Sequence, residues 1–401
     1  MLKHLRIKNF KAISDLAIKF TPFTVLIGEN SCAKSTILQA IDFMASLTKR
    51  DVDEYLKERG WSFHEIKSKF VPDCEPIVFE AIFGTDDWGV GWNISVNYQM
   101  KEWEIEEDIF EYNPTDGAAY SVFNDLMAGI GFSSAMKKLL IKSSVIKLYN
   151  SKMESGQNKL LQTLKTELTS INNFELLSAN MLRKNGSISD NHDTIGVYGE
   201  FLAEYISNLN DADKRYLNKM VSGMLGYIIE IDPQIRLGKG DAVGWYELYL
   251  NEKWYSHDFR IENRYLSDGV LRILALSAIL LKKQGGANQI ILLDEIEDGI
   301  NPLNVENFVN YISSLANDGR RQIIVTTHSP VLLNYVDENG IIFMWRDREG
   351  SINAEPLFKA KKMKDMLKFL NPGEVWLNYS RDEIVNLLDG APAAPEANTI
   401  V

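Results

Sequence analysis

Cysteine is nearly absent. Cys32 and Cys74 are the only two in 401 residues, which excludes a disulfide framework and points to a reducing cytoplasm. Long apolar runs are missing as well. The longest, around residues 271–281, is interrupted by Arg272 and falls short of the about 20 residues that a bilayer-spanning helix needs. No membrane span is therefore expected, and the opening MLKHLRIKNF holds too few apolar residues for a secretory signal. The five histidines show no metal-ligand spacing with either cysteine. Neither an internal repeat nor a long heptad array occurs. Positive charge is in deficit: 43 Lys and Arg against 55 Asp and Glu leave a net charge of −12. That balance disfavours a surface that coats nucleic acid, while leaving room for a local basic patch.

What remains is ordinary globular composition, 45% hydrophobic and 24% charged, on a chain long enough for two or three structural units. Apolar alternation predicts strands from Leu5, over Leu16–Phe20 and Phe23–Ile27, and later over Ile77–Phe83, Val90–Tyr98 and Trp103–Phe110. Helical spacing marks 34–47. From about Ser133 to Val221 the apolar residues recur at three and four, which reads as a mainly helical stretch with one strand at Phe174–Leu177. Asn185–Thr194 reads as a loop or link. Strands return at Tyr227–Ile231, Trp245–Leu250 and Trp254–Ile261. A helix from Ser267, a strand at Gln289–Leu293, a helix from Leu303 and a strand at Gln322–Thr326 follow. The tail from Gly390, with its APAAPEAN, reads as disordered.

Four places carry chemistry. Gly28-Glu29-Asn30-Ser31-Cys32-Ala33-Lys34-Ser35-Thr36 lies between an apolar strand and a helix. A turn of exposed N–H groups at a helix N-terminus attracts phosphate, so Gly28, Asn30, Ser31, Cys32, Ala33 and Thr36 are expected to line the cradle. Lys34 would reach the β- and γ-phosphates and Ser35 would hold Mg²⁺. Ala33 stands where such loops usually have glycine, which predicts crowding and slow turnover if the position needs a positive φ. The competing reading is a serine-capped helix that binds nothing. Next, an apolar strand ends in Asp294-Glu295, suited to orienting the metal and to acting as general base. A second apolar strand ends in Thr327-His328, whose imidazole could meet a γ-phosphate or the attacking water. Either strand could equally end in a solvated polar turn. Finally, Leu266-Ser267-Asp268-Gly269 opens a helix; Ser267 would cap it in any protein.

The order of these motifs resembles the ATPase heads of the ABC superfamily, on the branch shared by SMC, RecF, the coiled-coil break-repair ATPases and the overcoming-lysogeny-defect (OLD) enzymes. The segment Leu5-Arg6-Ile7-Lys8-Asn9-Phe10-Lys11-Ala12-Ile13 also looks like that branch, whose N-terminal strands cover adenine and ribose, placing Lys11 at the nucleotide. The resemblance implies an α/β fold: a two-lobed P-loop ATPase head with mixed sheets and a helical insertion between the lobes. Residues 1–110 would be the first lobe, 111–225 the insertion, 226–345 the second lobe, 346–389 a C-terminal docking segment and 390–401 a disordered tail. It further implies ATP and Mg²⁺ as ligands, with Ser267 and Gly269 facing the nucleotide of a second subunit in a head-to-tail homodimer or higher homo-oligomer. Gln99 is a candidate for the glutamine of the family's Q-loop, and Asn301 replaces the usual aspartate after the catalytic Glu.

With no long heptad run to suggest coiled-coil arms and only some 70 residues after His328 for an acidic nuclease domain, the remaining close resemblance is to compact ATPases of prokaryotic antiviral defence, such as those of the Septu, PARIS and retron-associated systems. Those typically work with a separately encoded nuclease or toxin. A RecF-like repair ATPase binding DNA directly is the alternative. Lys137, Lys138, Lys142, Lys147, Lys152, Lys159 and Lys165 would supply its phosphate contacts, unless they are simply a solvated face. Trp376 is the apolar anchor expected in the docking segment.

Overall fold

The computed structural model describes residues 1–72, 75–85, 87–99, 102–113, 119–121, 142–148, 158–175, 177–188, 192, 194–238, 243–281, 289–319 and 321–389. Cys74, Lys137, Lys138, Lys152 and the expected tail 390–401 lie outside them. The chain forms two compact units: Met1–Asn173 with Ala287–Leu293 and Ser313–Val401, and Phe174–Gly286 with Asp294–Ile312. The strands, in chain order, begin with β1 (Leu2–Phe10), β2 (Ile13–Lys19), β3 (Phe23–Gly28), β4 (Ile77–Gly84) and β5 (Gly89–Gln99). Then come β6 (Glu102–Tyr112), β7 (Ala119–Ser121), β8 (Ile171–Asn173), β9 (Ile228–Arg236), β10 (Trp245–Trp254) and β11 (His257–Glu262). The last four are β12 (Gln289–Leu293), β13 (Arg321–Thr326), β14 (Ile341–Arg346) and β15 (Ile352–Pro356).

The first unit holds two six-stranded sheets. One is antiparallel, in the order β2-β1-β4-β5-β6-β7. The other, β15-β14-β3-β13-β12-β8, is parallel except for β15. Every residue of β3, β12 and β13 is buried. Covered on both faces, such strands read as unbroken apolar runs, which is why they were legible. In the antiparallel sheet, β1 and β4 alternate instead, with Leu5, Ile7, Phe79 and Ala81 inward.

The helix Lys34–Ser46 joins the two sheets through an aromatic cluster. Phe43 stacks on Phe10 at 5.8 Å and meets Tyr55 at 5.3 Å and Phe79 at 6.0 Å between ring centroids. At the start of the fold, the buried amide of Gln322 takes both backbone groups of Leu2: Leu2 N donates to Oε1 at 2.7 Å, and Nε2 donates to Leu2 O at 2.7 Å.

The second unit contains the antiparallel sheet β11-β10-β9 and the helices Leu202–Ser207, Asp211–Met224 and Asp268–Leu281. Asn210 caps Asp211–Met224 by accepting from Asp213 N. Of the expected link 185–194, residues 189–191 and 193 lie outside the described set.

One expectation needs correction. The strand expected at Phe174–Leu177 is Ile171–Asn173, and it pairs in parallel with β12. Two asparagines in three residues hid it: its strand character comes from the neighbour it pairs with, not from its own pattern. The helix Asn158–Thr169 before it buries Leu161, Leu164 and Leu168 in the first unit's core, so residues 158–173 fold with the phosphate loop's sheet. Among the described residues no helix is long and apolar enough to cross a membrane.

Replacing Gln322 by Leu should cost about 2–4 kcal/mol, since it leaves a buried N–H and C=O without partners. Arg6→Ala, which breaks the exposed pair with Asp15, should cost under about 1 kcal/mol. Urea unfolding of both variants checks this; equal losses would contradict the clamp.

Candidate nucleotide-binding site

The strands β8, β12, β13, β3 and β14 run the same way, so their C-terminal ends share one edge of the sheet, the usual ligand edge of a parallel sheet. The loop 28–36 leaves β3 at that edge. Gly28 is held at φ 142 with β14 beside it: a Cβ there would lie 2.1 Å from the Met344 carbonyl oxygen. Only glycine fits. Beyond it, Ser31 and Ala33 both adopt left-handed backbone, with φ of 66 and 69. Left-handed residues in such a loop are what allows successive N–H groups to line an anion-binding concavity.

Ala33 is also the N-cap of Lys34–Ser46, and no side chain caps that helix start. A 13-residue helix with its first N–H groups uncapped presents donors and a positive dipole end. The Lys34 ammonium, buried, donates to the carbonyls of Gly28 and Glu29, each at 2.9 Å. These carbonyls hold it at the mouth of the loop. Ser35 and Thr36, half-buried, follow in the first turn. Burial pushes the Cys32 thiol up despite nearby Lys34, so it stays protonated at neutral pH and is no nucleophile.

On the neighbouring strand, Thr326 of β13 pairs with Leu26 of β3. His328 follows two residues past Thr326, after the end of that pairing, and it is exposed. Lys11 occupies the β1–β2 turn at φ 50. Its ammonium donates to Gln39 of the phosphate-loop helix at 2.6 Å and lies 3.3 Å from the Trp61 ring centroid. Gln99 pairs with Glu102 at the end of β5. It belongs to the antiparallel sheet and not to the edge where the loop opens.

Within the second unit, Asp294 and Glu295 directly follow Leu293 of β12 in the chain. Glu295 has φ 44, a left-handed backbone that costs a non-glycine residue of order 1–3 kcal/mol and clusters at functional sites. Arg272 supports it. Its Nη2 donates to the carbonyls of Asp294 at 2.9 Å and Glu295 at 2.8 Å, and Nη1 lies 3.6 Å from Asp298.

Arg272 comes from the helix Asp268–Leu281, whose start is itself closely packed. A Cβ on Gly269 would sit 2.1 Å from the Gly299 carbonyl oxygen. Ser267 accepts from Val270 N at 3.4 Å, a long version of the ordinary cap. Both residues therefore have structural reasons to be there, whatever else they do.

Three arginines were not foreseen as site residues. Arg272 had a signal: a charge inside an apolar run is retained only where it is paired. Arg346 and Arg381 had none. Arg346, at the end of β14, donates to Ser31 O at 3.3 Å and to Gly350 O at 2.7 Å. Arg381 donates to Arg346 O and lies 3.5 Å from the Glu29 carboxylate. Residues 346–381 thus grip the outer side of the phosphate loop. The same segment packs behind His328, since Gly373 N donates to Asn334 Oδ1 at 2.8 Å and a Cβ on Gly373 would meet the Pro330 carbonyl oxygen.

The fold is α/β and SMC head-like, consistent with a P-loop ATPase head. Residues 115–334, more than half of the chain, match the family described as "AAA domain, putative AbiEii toxin, Type IV TA system", and the chain belongs to that family. Residues 1–194 match a second family, "AAA ATPase domain". An SMC head solved bound to the C-winged helix domain of ScpA shares the fold, with a TM-score of 0.53 and 17% identity over 90% of this chain and 99% of that one. The SMC head domain from Thermotoga maritima is similar at a TM-score of 0.45 and 15% identity, over 88% of this chain and 98% of that one. The OLD nuclease of Thermus scotoductus is 43% identical over 44 residues, 11% of this chain and only 8% of that relative's length.

Ala33→Gly should stabilise the protein by roughly 0.5–1 kcal/mol, because relief of left-handed strain exceeds the added chain entropy. Chemical denaturation measures it. A clear loss of stability would mean that the methyl is needed for packing.

Proposed function

We propose that the protein binds and hydrolyses Mg-ATP at the 28–36 loop and uses the resulting change of state to control a separately encoded nuclease or toxin in antiviral defence. The observation that carries the reading is the shared sheet edge, from which the phosphate loop leaves β3, His328 follows β13 and β12 leads into Asp294-Glu295. The residues present fit a triphosphate. The loop has two left-handed turns, a buried lysine at its mouth and an uncapped helix start.

In this reading Lys34 neutralises the β- and γ-phosphates, and the N–H groups of 30–36 hold their oxygens. Ser35 and Asp294 hold the magnesium, which when bound offsets charge on the phosphates. Glu295 takes the proton of the attacking water as its oxygen bonds to the γ-phosphorus and ADP departs. His328 donates to the γ-phosphate or positions that water. Lys11 packs at the adenine and ribose side. Strain at Ala33 and Glu295 suits slow turnover.

Ser267 and Gly269 open the helix that would meet the nucleotide of a second copy, so that two heads enclose two ATP molecules. Such pairing turns nucleotide state into assembly state. Output through protein contact is supported by the family description, which names a toxin, and by the SMC head solved with a ScpA domain. The 346–389 segment is the proposed docking part, because it touches both the phosphate loop and the exit from His328. Phe369 and Leu377 are its exposed apolar residues, 84% and 69% accessible, whereas Trp376 is half-buried.

Direct DNA binding through the Lys137–Lys165 stretch gains no support from Lys142 and Lys147. Lys142 pairs with Asp53 and Lys147 with Asp51, each at 2.6 Å. These pairs neutralise two of the four described lysines of the stretch; Lys159 is exposed.

Glu295→Gln should lower ATP turnover by about 100-fold or more, retain bound ATP and shift the protein to a larger assembly on size-exclusion chromatography. Turnover at the parent rate would assign the base elsewhere.

A further inference from the structure

The loop 28–36 contains one carboxylate, Glu29, beside the glycine that opens it. A negative charge there opposes the approach of a triphosphate. Lys34, the cation within the loop, donates to the backbone carbonyls of Gly28 and Glu29. A charge facing the Glu29 carboxylate comes from the far end of the chain, where Arg381 Nε lies 3.5 Å from it.

Arg381 is held in that place by its surroundings. It is the first residue of the helix Arg381–Leu388, whose start is set by a capping box: the Glu383 carboxylate accepts from Ser380 N at 2.7 Å, and Ser380 Oγ accepts from Glu383 N. Each guanidinium nitrogen has a different partner. Nη1 donates to Asp382 at 2.8 Å, Nη2 donates to the Arg346 carbonyl, and Nε is left facing Glu29.

Arg346 is fixed in its turn. Its Nη1 donates to Gly350 O at 2.7 Å, in a turn where Asp347 accepts from the N–H groups of Glu349 at 3.0 Å and Ser351 at 2.8 Å. Its guanidinium carbon lies 5.4 Å from the Phe70 ring centroid. Nη2 then meets the Ser31 carbonyl at 3.3 Å. A planar trans peptide points its C=O and its N–H in opposite directions. Holding Ser31 O therefore turns the Cys32 N–H away from Arg346.

We propose that Arg381 and Arg346 are positioning residues for nucleotide binding. Arg381 offsets the Glu29 carboxylate, and Arg346 keeps the Ser31–Cys32 peptide with its N–H available to a phosphate. The inference rests on the reading of the 28–36 loop as the ATP site. It adds a regulation of that site, because both arginines belong to the C-terminal segment. Linkage is reciprocal: whatever displaces Arg381 weakens ATP binding, and bound ATP holds the segment against the loop. The contact is open enough to break, with the Glu29 side chain 64% and the Arg381 side chain 29% accessible. Exposed pairs add little to stability, so this one can part without unfolding the protein.

Equilibrium binding of Mg-ATP to the full chain tests the assignment in the parent, Arg381→Ala, Glu29→Gln and the double variant, each with its unfolding midpoint. Arg381→Ala should weaken binding about fivefold, the upper end for an exposed ion pair, at an unchanged midpoint. Glu29→Gln should suppress that loss, leaving the double variant within about twofold of Glu29→Gln alone, a rescue that damage to the fold would not give. Arg346→Ala should also weaken binding, and Glu29→Gln should not restore it, since Arg346 acts through the Ser31 carbonyl. A second measurement needs no variant: Mg-ATP should slow amide exchange in the parent at 381–388 as well as at 28–36. Parent-like affinity in Arg381→Ala, the same loss with and without Glu29→Gln, or exchange slowed at 28–36 alone would each overturn the inference and leave the ATP site in place. A parent that binds no Mg-ATP would remove the nucleotide reading and this inference with it.

Discussion

The site depends on the burial of one strand. β3 lies between β13 and β14, all six of its residues are buried, and its last residue, Gly28, is pressed against the Met344 carbonyl. That contact stops the chain from continuing as a strand with any side chain there, and it releases the loop at the edge where four other parallel strands also end. Backbone N–H groups can serve a phosphate only if they are not already used in a ladder or capped by a side chain. The close approach at Gly28 ends the ladder, the left-handed residues Ser31 and Ala33 curl the loop, and the N-cap Ala33 supplies no side-chain cap.

Left-handed backbone recurs at non-glycine residues of the proposed site, Ala33 and Glu295 besides Ser31 and Lys11. Ala33 tolerates a left-handed backbone inside the loop, and Glu295 does so immediately after the strand that leads to Asp294. The Glu295 peptide is held on its carbonyl by Arg272, which also holds the carbonyl before it. Because Arg272 rises from the helix opened by Ser267 and Gly269, movement at that helix start would be felt at the Asp294-Glu295 backbone. This is a short mechanical link within one unit, built from two hydrogen bonds and the Gly269–Gly299 contact.

Legibility followed burial and periodicity. β12 and the strands around the loop were evident because two covered faces demand an uninterrupted apolar run, and Lys34–Ser46 showed helical spacing. The need for positive φ at residue 33 was foreseeable from the glycine usual there, and the structure meets it with an alanine. Ile171–Asn173 was not legible, since its strand identity depends on β12. Nor were Arg346 and Arg381, whose contacts with Ser31 and Glu29 span more than 300 residues of sequence. Long-range polar contacts leave no periodic trace. Lys142 and Lys147 looked like free cations in sequence and are paired in the fold.

The most direct test of the account is equilibrium binding of Mg-ATP to the parent and to Lys34→Ala, with the unfolding midpoint of each measured alongside. A buried charged group with its hydrogen bonds accounts for about 1.5–3 kcal/mol, or roughly 10–100-fold in affinity. The account predicts a loss of that size with little change in the midpoint. Unchanged affinity in a folded Lys34→Ala protein would contradict it.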